Sequence, residues 1–431
     1  MTIATFTGSL AAIIEQGVLE RDLLESIRPA LLWNAVVQQR LHPSGMGETV
    51  SLTREGLIAP STAANALLAT GMSVPNSATA SMEQFSYTLN SYAISLNIPV
   101  PDSMLAAANV FQPRLNSLGF SGLQTINRIR RDTAFAAYGG GNSFATAAGV
   151  TSTALVVADA TGFETTVVNG VVTVVSSTNP GTLTIAGVTR TYTAVNLGTN
   201  TITLSSAQSW SQYDAVVRDD ASPIYRQGSR ATDRLIVAGD TSTMATFRAA
   251  AAGLRGQNVP GINGLPGGDY MCFIDSDVEN DLMSDSEFRT AVNGGGLAPS
   301  IESGILGRYG GIIFVRQPKS ESKIIANLAP YQTTIHRSLM VGGGGAVIEA
   351  YKPEIELLSH GQPFVSGSHF RMQMTDGLAM VIQAPTDALG RQVKASWVGN
   401  FGWCAPSDIN NGTGSSVRYK RAAVIHTAGP A

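Results

Sequence analysis

The sequence predicts an α+β chain carrying an inserted small all-β domain, and three stretches predict it. Residues 101–141 have the spacing of one long helix or a closely coupled pair. Strand-like alternation precedes that stretch and returns near the C-terminus. Between them, residues 149–213 shift to Thr, Val and Gly, with turn signals between short apolar runs.

In chain order, Leu10, Ile13, Ile14, Val18, Leu19, Leu23 and Ile27 make an amphipathic helix pattern, with Glu15, Glu20, Arg21, Asp22 and Glu25 opposite. Pro29 breaks it before a second apolar piece at 31–37. Such a helix packs either on its own domain or on another subunit. Val50 and Leu52, then Phe85, Tyr87 and Leu89, alternate, and Tyr92, Ile94, Leu96, Ile98 and Val100 do so without a fault. Residues 60–81 between them are small, polar and Ala-rich. The result is an extended hairpin that owns no core and needs a neighbour.

In the helical stretch Asp102 is placed to cap the first turn, and Pro113 either kinks the helix or opens a second one. Leu115, Leu118, Gly122, Ile126, Ile129, Thr133 and Ala136 form one stripe, with Asn116, Gln124, Asn127, Arg128 and Arg131 off it. Gly139, Gly140 and Gly141 stop it. At about 1.5 Å per residue such a helix spans roughly 50 Å, a beam rather than a core helix. Strand runs at 154–158, 165–168, 171–175, 182–185, 190–195 and 201–204 then predict a small barrel or sandwich. Beyond it come a helix at 243–255 (Met244, Phe247, Ala251, Leu254) and a buried strand at 270–274. A short helix at 276–283, capped by Asp275 or Ser276, follows. Strands are predicted at 310–315, 355–358, 370–374 and 380–383, with 393–401 the final one.

At 431 residues there is room for two or three cores. Charged residues are 14%, well below the usual quarter, while hydrophobic content is an ordinary 44%. That combination fits surface covered by other subunits or a secreted β-rich protein, and composition does not choose. A net charge of −3 advertises no basic field for nucleic acid. Cys272 and Cys404 are the only cysteines and lie in unrelated segments, so no disulfide framework is expected. The N-terminus lacks the basic start of a signal peptide, and no apolar run reaches the length of a membrane span.

The search for chemistry assigns no catalytic, cofactor-binding or metal residue. Asp275, Asp277, Glu279, Asp281 and Asp285 fail the calcium-loop pattern, because Asn280 and Ser286 stand where Gly and Glu are required. They read instead as acids complementing a helix N-terminus. Residues 342–345 (Gly-Gly-Gly-Gly) lack a following Lys-Ser or Lys-Thr, and Gly304, Gly307 and Gly310 have the wrong spacing for a dinucleotide fingerprint. His42, His336, His360, His369 and His426 never approach ligand spacing in sequence, and no Gly-x-Ser-x-Gly elbow occurs. The chain is not expected to be an enzyme.

The order of parts, with the segments Tyr-Met-Cys-Phe-Ile-Asp-Ser-Asp-Val-Glu-Asn-Asp-Leu (270–282), Leu-Gly-Arg-Tyr-Gly-Gly-Ile-Ile-Phe-Val (306–315) and Arg-Gly-Gln-Asn-Val-Pro (255–260), resembles the major capsid proteins of tailed double-stranded DNA bacteriophages, the Hong Kong 97 capsid fold. The resemblance implies an N-terminal arm (1–47), an E-loop (48–100) and a P-domain spine helix (101–149). An inserted β-domain (150–216), a connection with a second helix (217–257) and an A-domain (258–350) follow. P-domain strands and return (351–405) and a C-terminal tail (406–431) complete it. It implies a structural shell subunit that assembles with itself into hexamers and pentamers around packaged double-stranded DNA. Scaffolding, portal and decoration proteins are further implied partners, DNA contact is non-specific, and no membrane is involved. It implies location in the virion capsid, with assembly in the host bacterial cytoplasm.

Some family members weld the shell by an E-loop lysine. Lys319, Lys323, Lys352, Lys394 and Lys420 are the only lysines here, so no such crosslink is expected. Arg54 and Glu55 near the E-loop base, and Arg128, Arg130 and Arg131 on the helix, are the candidate inter-subunit contacts. With Met1 present, an unprocessed shell or a separate scaffold is expected. Competing readings are an encapsulin-like compartment shell of the same fold, a secreted β-rich adhesin and, last, a metallohydrolase.

Overall fold

The computed structural model describes residues 32–55, 82–99, 111–168, 171–257, 259–262, 268–293, 305–319, 323–325, 334–343, 345–353, 369–375, 377–383, 392–406 and 420–429. The helix pattern at 10–27, the excursion at 60–81, the helix start at 101–110 and the strand at 355–358 lie outside the described residues. Two compact units divide the chain. The first comprises Met1–Val50, Tyr87–Arg131 and Ile348–Cys404, and the second Ser51–Ser86, Asp132–Val347 and Ala405–Ala431.

In the first unit the long strand Gln392–Cys404 is central. One flank pairs with Leu378–Gln383 and, further along, with Val347–Lys352; the other pairs with Asn90–Pro99 over its full length. Val37–Leu41 borders Val347–Lys352, and His369–Thr375 borders Leu378–Gln383. Val393, Ala395, Trp397 and Phe401 alternate along the central strand and are all buried. They form one core with Leu115, Leu118, Leu123 and Ile126 of the long helix. The helix is described as Phe111–Gly139. Pro113 lies near the start of the described part of the helix. Gly122 is required by the packing, since a Cβ there would stand 2.9 Å from Trp397 Cγ.

The predicted stripe holds through Ile126 and then rotates. Asn127, Arg130 and Arg131 are buried, whereas Ile129 and Thr133 are half-buried and Ala136 is exposed. Asn127 is inside because its Oδ1 accepts the backbone N–H of Trp33 at 3.1 Å. Polar residues enter a core when each has such a partner, and helical periodicity cannot anticipate it.

The second unit holds a barrel and a larger mixed sheet. The barrel strands run Asn142–Phe144, Ala215–Arg218, Gly181–Ile185, Val188–Asn196, Thr201–Trp210 and Gly149–Val156 in spatial order. A bridge between Ala145 and Val157 joins the first to the last and closes the ring. Leu155, Phe163, Leu183, Ile185, Tyr192, Ile202, Trp210 and Val216 fill its interior. Tyr192 OH donates to Phe163 O at 2.9 Å, and burial pushes its phenol up, so it stays a donor. The hairpin Thr165–Val168/Val171–Val174 does not join the ring; it extends the strands Thr49–Glu55 and Met82–Thr88, through Gln84 beside Val171.

The larger sheet runs Ile224–Arg226, Ala422–Ala428, Ile335–Val341, Tyr270–Ile274, Ile312–Arg316 and Ile305–Tyr309, with Lys323–Ile325 beside Ile335–Val341. Tyr270–Ile274 matches the predicted strand residue for residue. The helix Met244–Gly256 buries Met244, Phe247, Ala251 and Leu254, the residues predicted for its core face. Asp275 is the cap of Ser276–Ser284, accepting from the N–H groups of Asp277 and Val278. One expectation is corrected here. The strand at 393–401 is not the last, because Ala422–Ala428 is an interior strand with every residue buried.

Candidate functional site

The first unit presents two features, a buried charge hub and an open apolar edge. The hub is Glu349, fully buried in the strand Val347–Lys352. Arg130 Nε and Nη2 each donate to its carboxylate at 2.6 Å, a bidentate fork. Trp403 Nε1 donates to Oε2 at 2.7 Å, and Gln39 Nε2 to Oε1 at 3.1 Å. One carboxylate thus ties together the long helix, the N-terminal strand Val37–Leu41 and two further strands. A buried charge is tolerable only with partners of this kind.

The open edge is Asn90–Pro99. Tyr92, Ile94, Leu96 and Ile98 face the same side as their register partners Gly399, Trp397, Ala395 and Val393. The helix core covers Ile98, Val393, Ala395 and Trp397, yet Ile94 is 47% and Leu96 37% exposed. Among the described residues this strand pairs only with Gln392–Cys404, so its outer backbone edge is unpaired. A long apolar edge of this kind is a template for another chain.

Of the charged residues singled out from sequence, Arg130 is consumed within the subunit by Glu349. Arg131 is buried and Arg128 is exposed on the same helix. Arg54 donates to Gly345 O at 3.1 Å and lies 5.8 Å from the Phe85 ring centroid. The Glu55 side chain lies outside the described residues. Sequence reasoning missed Glu349, Gln39 and Trp403 altogether. The one available signal was a lone acid within an apolar strand run at 346–351.

The second unit turns its acids inward as structural links. Asp285 accepts the N–H of Met244 at 2.7 Å and that of Glu287 at 3.0 Å, and Asp281 accepts the N–H of Ser242 at 3.2 Å. His336 pairs with Asp275, and His426 with Asp233 at 2.7 Å. Among the described residues no group of three or more His, Cys, Asp or Glu is arranged to hold a metal ion. Cys272 is a buried cysteine outside any disulfide whose thiol burial pushes up; Cys404 is half-buried. No described helix is long and apolar enough to cross a membrane.

No protein-family model matches the chain, and no curated protein matches it. Among solved structures, the capsid of Ralstonia phage GP4 is similar over 92% of this chain and 88% of that one, at 13% identity and a TM-score of 0.51. The chain shares the fold of a phage capsid protein. That fold is of the Hong Kong 97 type, mixed α+β, as the order of parts implied. The capsid of cyanophage P-SCSP1u (12% identity, 93% and 89% covered, TM-score 0.48) and that of cyanophage Pam1 (13%, 91% and 89%, 0.47) are further neighbours.

Proposed function

We propose that the chain is a structural shell subunit that assembles with itself into hexamers and pentamers and encloses double-stranded DNA. The observation that carries this is the similarity to the Ralstonia phage GP4 capsid across almost the whole of both chains. The apolar edge of Asn90–Pro99, which no second described strand pairs, supports it as a surface another subunit could cover. Ile94 and Leu96 are already half or more covered, so completing their burial on assembly contributes at most about 1 kcal/mol for each side chain, repeated at every contact. Arg54, Glu55 and Arg128 stay candidates for contacts between subunits, an exposed pair there being worth at most about 1 kcal/mol, whereas Arg131 is buried in the subunit. Arg130 leaves that group.

Scaffolding, portal and decoration proteins are the further partners of this reading, and the barrel serves its own subunit or bridges neighbours. With no lysine in residues 48–100, the shell holds without a lysine weld from that loop. Negative-stain microscopy of the expressed chain tests the proposal: closed shells or rings are expected, and monomers alone would refute it. Nuclease-protected DNA in particles from infected cells separates a genome container from an encapsulin-like compartment.

A further inference from the structure

In the seven-stranded sheet two arginines flank one histidine across three strands. Arg226 in Ile224–Arg226 and Arg337 in Ile335–Val341 are both register partners of His426 in Ala422–Ala428. Partners directly opposite in a sheet project from the same face. His426 is buried, and its Nδ1–H donates to Asp233 Oδ1 at 2.7 Å. A carboxylate only accepts, so the proton sits on Nδ1 and Nε2 is bare, buried and without a hydrogen-bond partner. Asp233 also accepts from Arg226 Nε, while Arg226 Nη2 donates to Asn142 Oδ1 at 3.0 Å and Nη1 to Ala231 O at 3.1 Å.

Arg337 Nε is likewise buried without a partner, and its side chain lines a cavity of about 230 Å³ together with Asn142, Ser143, Asp159 and Asp233. Further along the histidine strand, Ala428 N–H donates to Asp240 O, and the Asp240 carboxylate is paired with Arg230 at 2.9 Å. One wall of the cavity belongs to the barrel. Asn142–Phe144 is its closing strand, and Asp159 follows the Ala145–Val157 bridge. Ser143 Oγ accepts the N–H of Asp159 at 3.0 Å and stitches that seam. The junction of seam and sheet therefore sets two guanidiniums, Arg226 and Arg337, against two carboxylates, Asp233 and Asp159. It is balanced only while His426 is neutral.

We propose that this junction is an acid-released latch, in which a proton taken from solvent by His426 Nε2 adds a third cation, draws water into the cavity and frees the barrel seam from the sheet. The buried N–H so created faces no acceptor, which is the source of the opening. In agreement, burial first, and then Arg337 and Arg226, hold the imidazole below its ordinary 6.5 against the pull of Asp233. The neutral form is therefore the resting one, and the latch responds to acid rather than to a small drift around neutrality.

Hydrogen exchange on the full-length chain, corrected for the intrinsic pH dependence of exchange, tests the latch at about pH 7.5 and about pH 5. In the wild type, protection of the amides at 142–146 and 156–159 should fall by about tenfold or more at the lower pH, while Tyr270–Ile274 stays protected. His426→Gln keeps a donor for Asp233 but cannot titrate, and its seam protection should be the same at both values. Arg337→Met keeps His426 and removes one guanidinium, so the opening should move to higher pH. Equal seam protection at both pH values in the wild type would overturn the latch. So would an equal loss in His426→Gln, which would assign the effect to carboxylates. If His426→Gln does not fold, Arg337→Met decides, and an unmoved midpoint refutes the proposal.

Discussion

The barrel and the sheet containing Asn90–Pro99 are built from the same material and end differently. Both bury aromatic residues between antiparallel strands, Tyr192 and Trp210 in one, Trp397 and Phe401 in the other. The barrel ladder returns on itself through Ala145 and Val157, so no strand of the ring is left at an open flank. The sheet stops at a ten-residue strand whose apolar face is only partly covered. Closure removes edges, and an open apolar edge invites pairing. Among the described residues the barrel closes on itself, whereas the sheet keeps an open edge, the surface that the proposed assembly would cover.

The sharpest way to break the comparison is to attack the hub that holds the open sheet together. Arg130→Ala leaves Glu349 buried and uncompensated, and removing one partner of such a pair costs about 3–5 kcal/mol. Urea unfolding should show that loss in the first unit, with the barrel transition unmoved. Replacing both partners, Arg130→Met with Glu349→Leu, should recover most of it, because no buried charge remains. A single-substitution loss below about 1 kcal/mol would mean that the hub does not lock the sheet. The matching cut in the barrel is Tyr192→Phe, which strips Phe163 O of its donor and should cost about 1–3 kcal/mol in the barrel transition alone.

Acid should act on the second unit through Asp233 and His426. Burial alone would raise the Asp233 carboxyl, but His426 and then Arg226 hold it well below the ordinary 3.8. Its stabilising contribution is present above that unfolded value and is lost as pH falls through and below it. His426, held below 6.5, has the same sign, because the unfolded chain takes up the proton first and stability falls as pH drops from 6.5. Thermal unfolding followed from pH 7 downward should therefore decline in two stages. His426→Gln should remove the upper stage and shrink the lower one, which then rests mainly on Arg226.

How much of this was legible in the sequence depended on how far apart the partners lie. Tyr270–Ile274, the Asp275 cap and the Met244 helix were read from local pattern, since apolar spacing and capping act within a turn or a strand. Barrel or sandwich stayed open until the closing bridge was seen. Nothing local marks Ala422–Ala428 as an interior strand, because its pairing partners, Ile224–Arg226 and Ile335–Val341, are far away in sequence and its own run is short and Ala-rich. The Arg130–Glu349 pair joins residues 219 positions apart, and nothing local distinguishes a charge that will be buried from one that will be solvated. The alternation at Tyr92, Ile94, Leu96 and Ile98 was plain. That the outer half of its apolar face would stay open required knowing where the helix stops covering the sheet.

The smallest expected change in stability gives the most direct test of the comparison. Ile94→Lys with Leu96→Lys replaces side chains already 47% and 37% exposed, and Val150→Lys replaces one that is 86% exposed on the barrel strand Gly149–Val156. Substitutions at such surface sites usually stay within about 0.5 kcal/mol per site. Both variants should therefore unfold close to the wild type as separate subunits. Their assembly should differ, because lysine on the open edge strand puts a charge where a neighbour must cover apolar surface. Sedimentation of the assembled fraction should show the Ile94/Leu96 variant as unassembled subunits and Val150→Lys as shells. The reverse pattern would place the essential contact on the barrel and leave the edge strand a passive border.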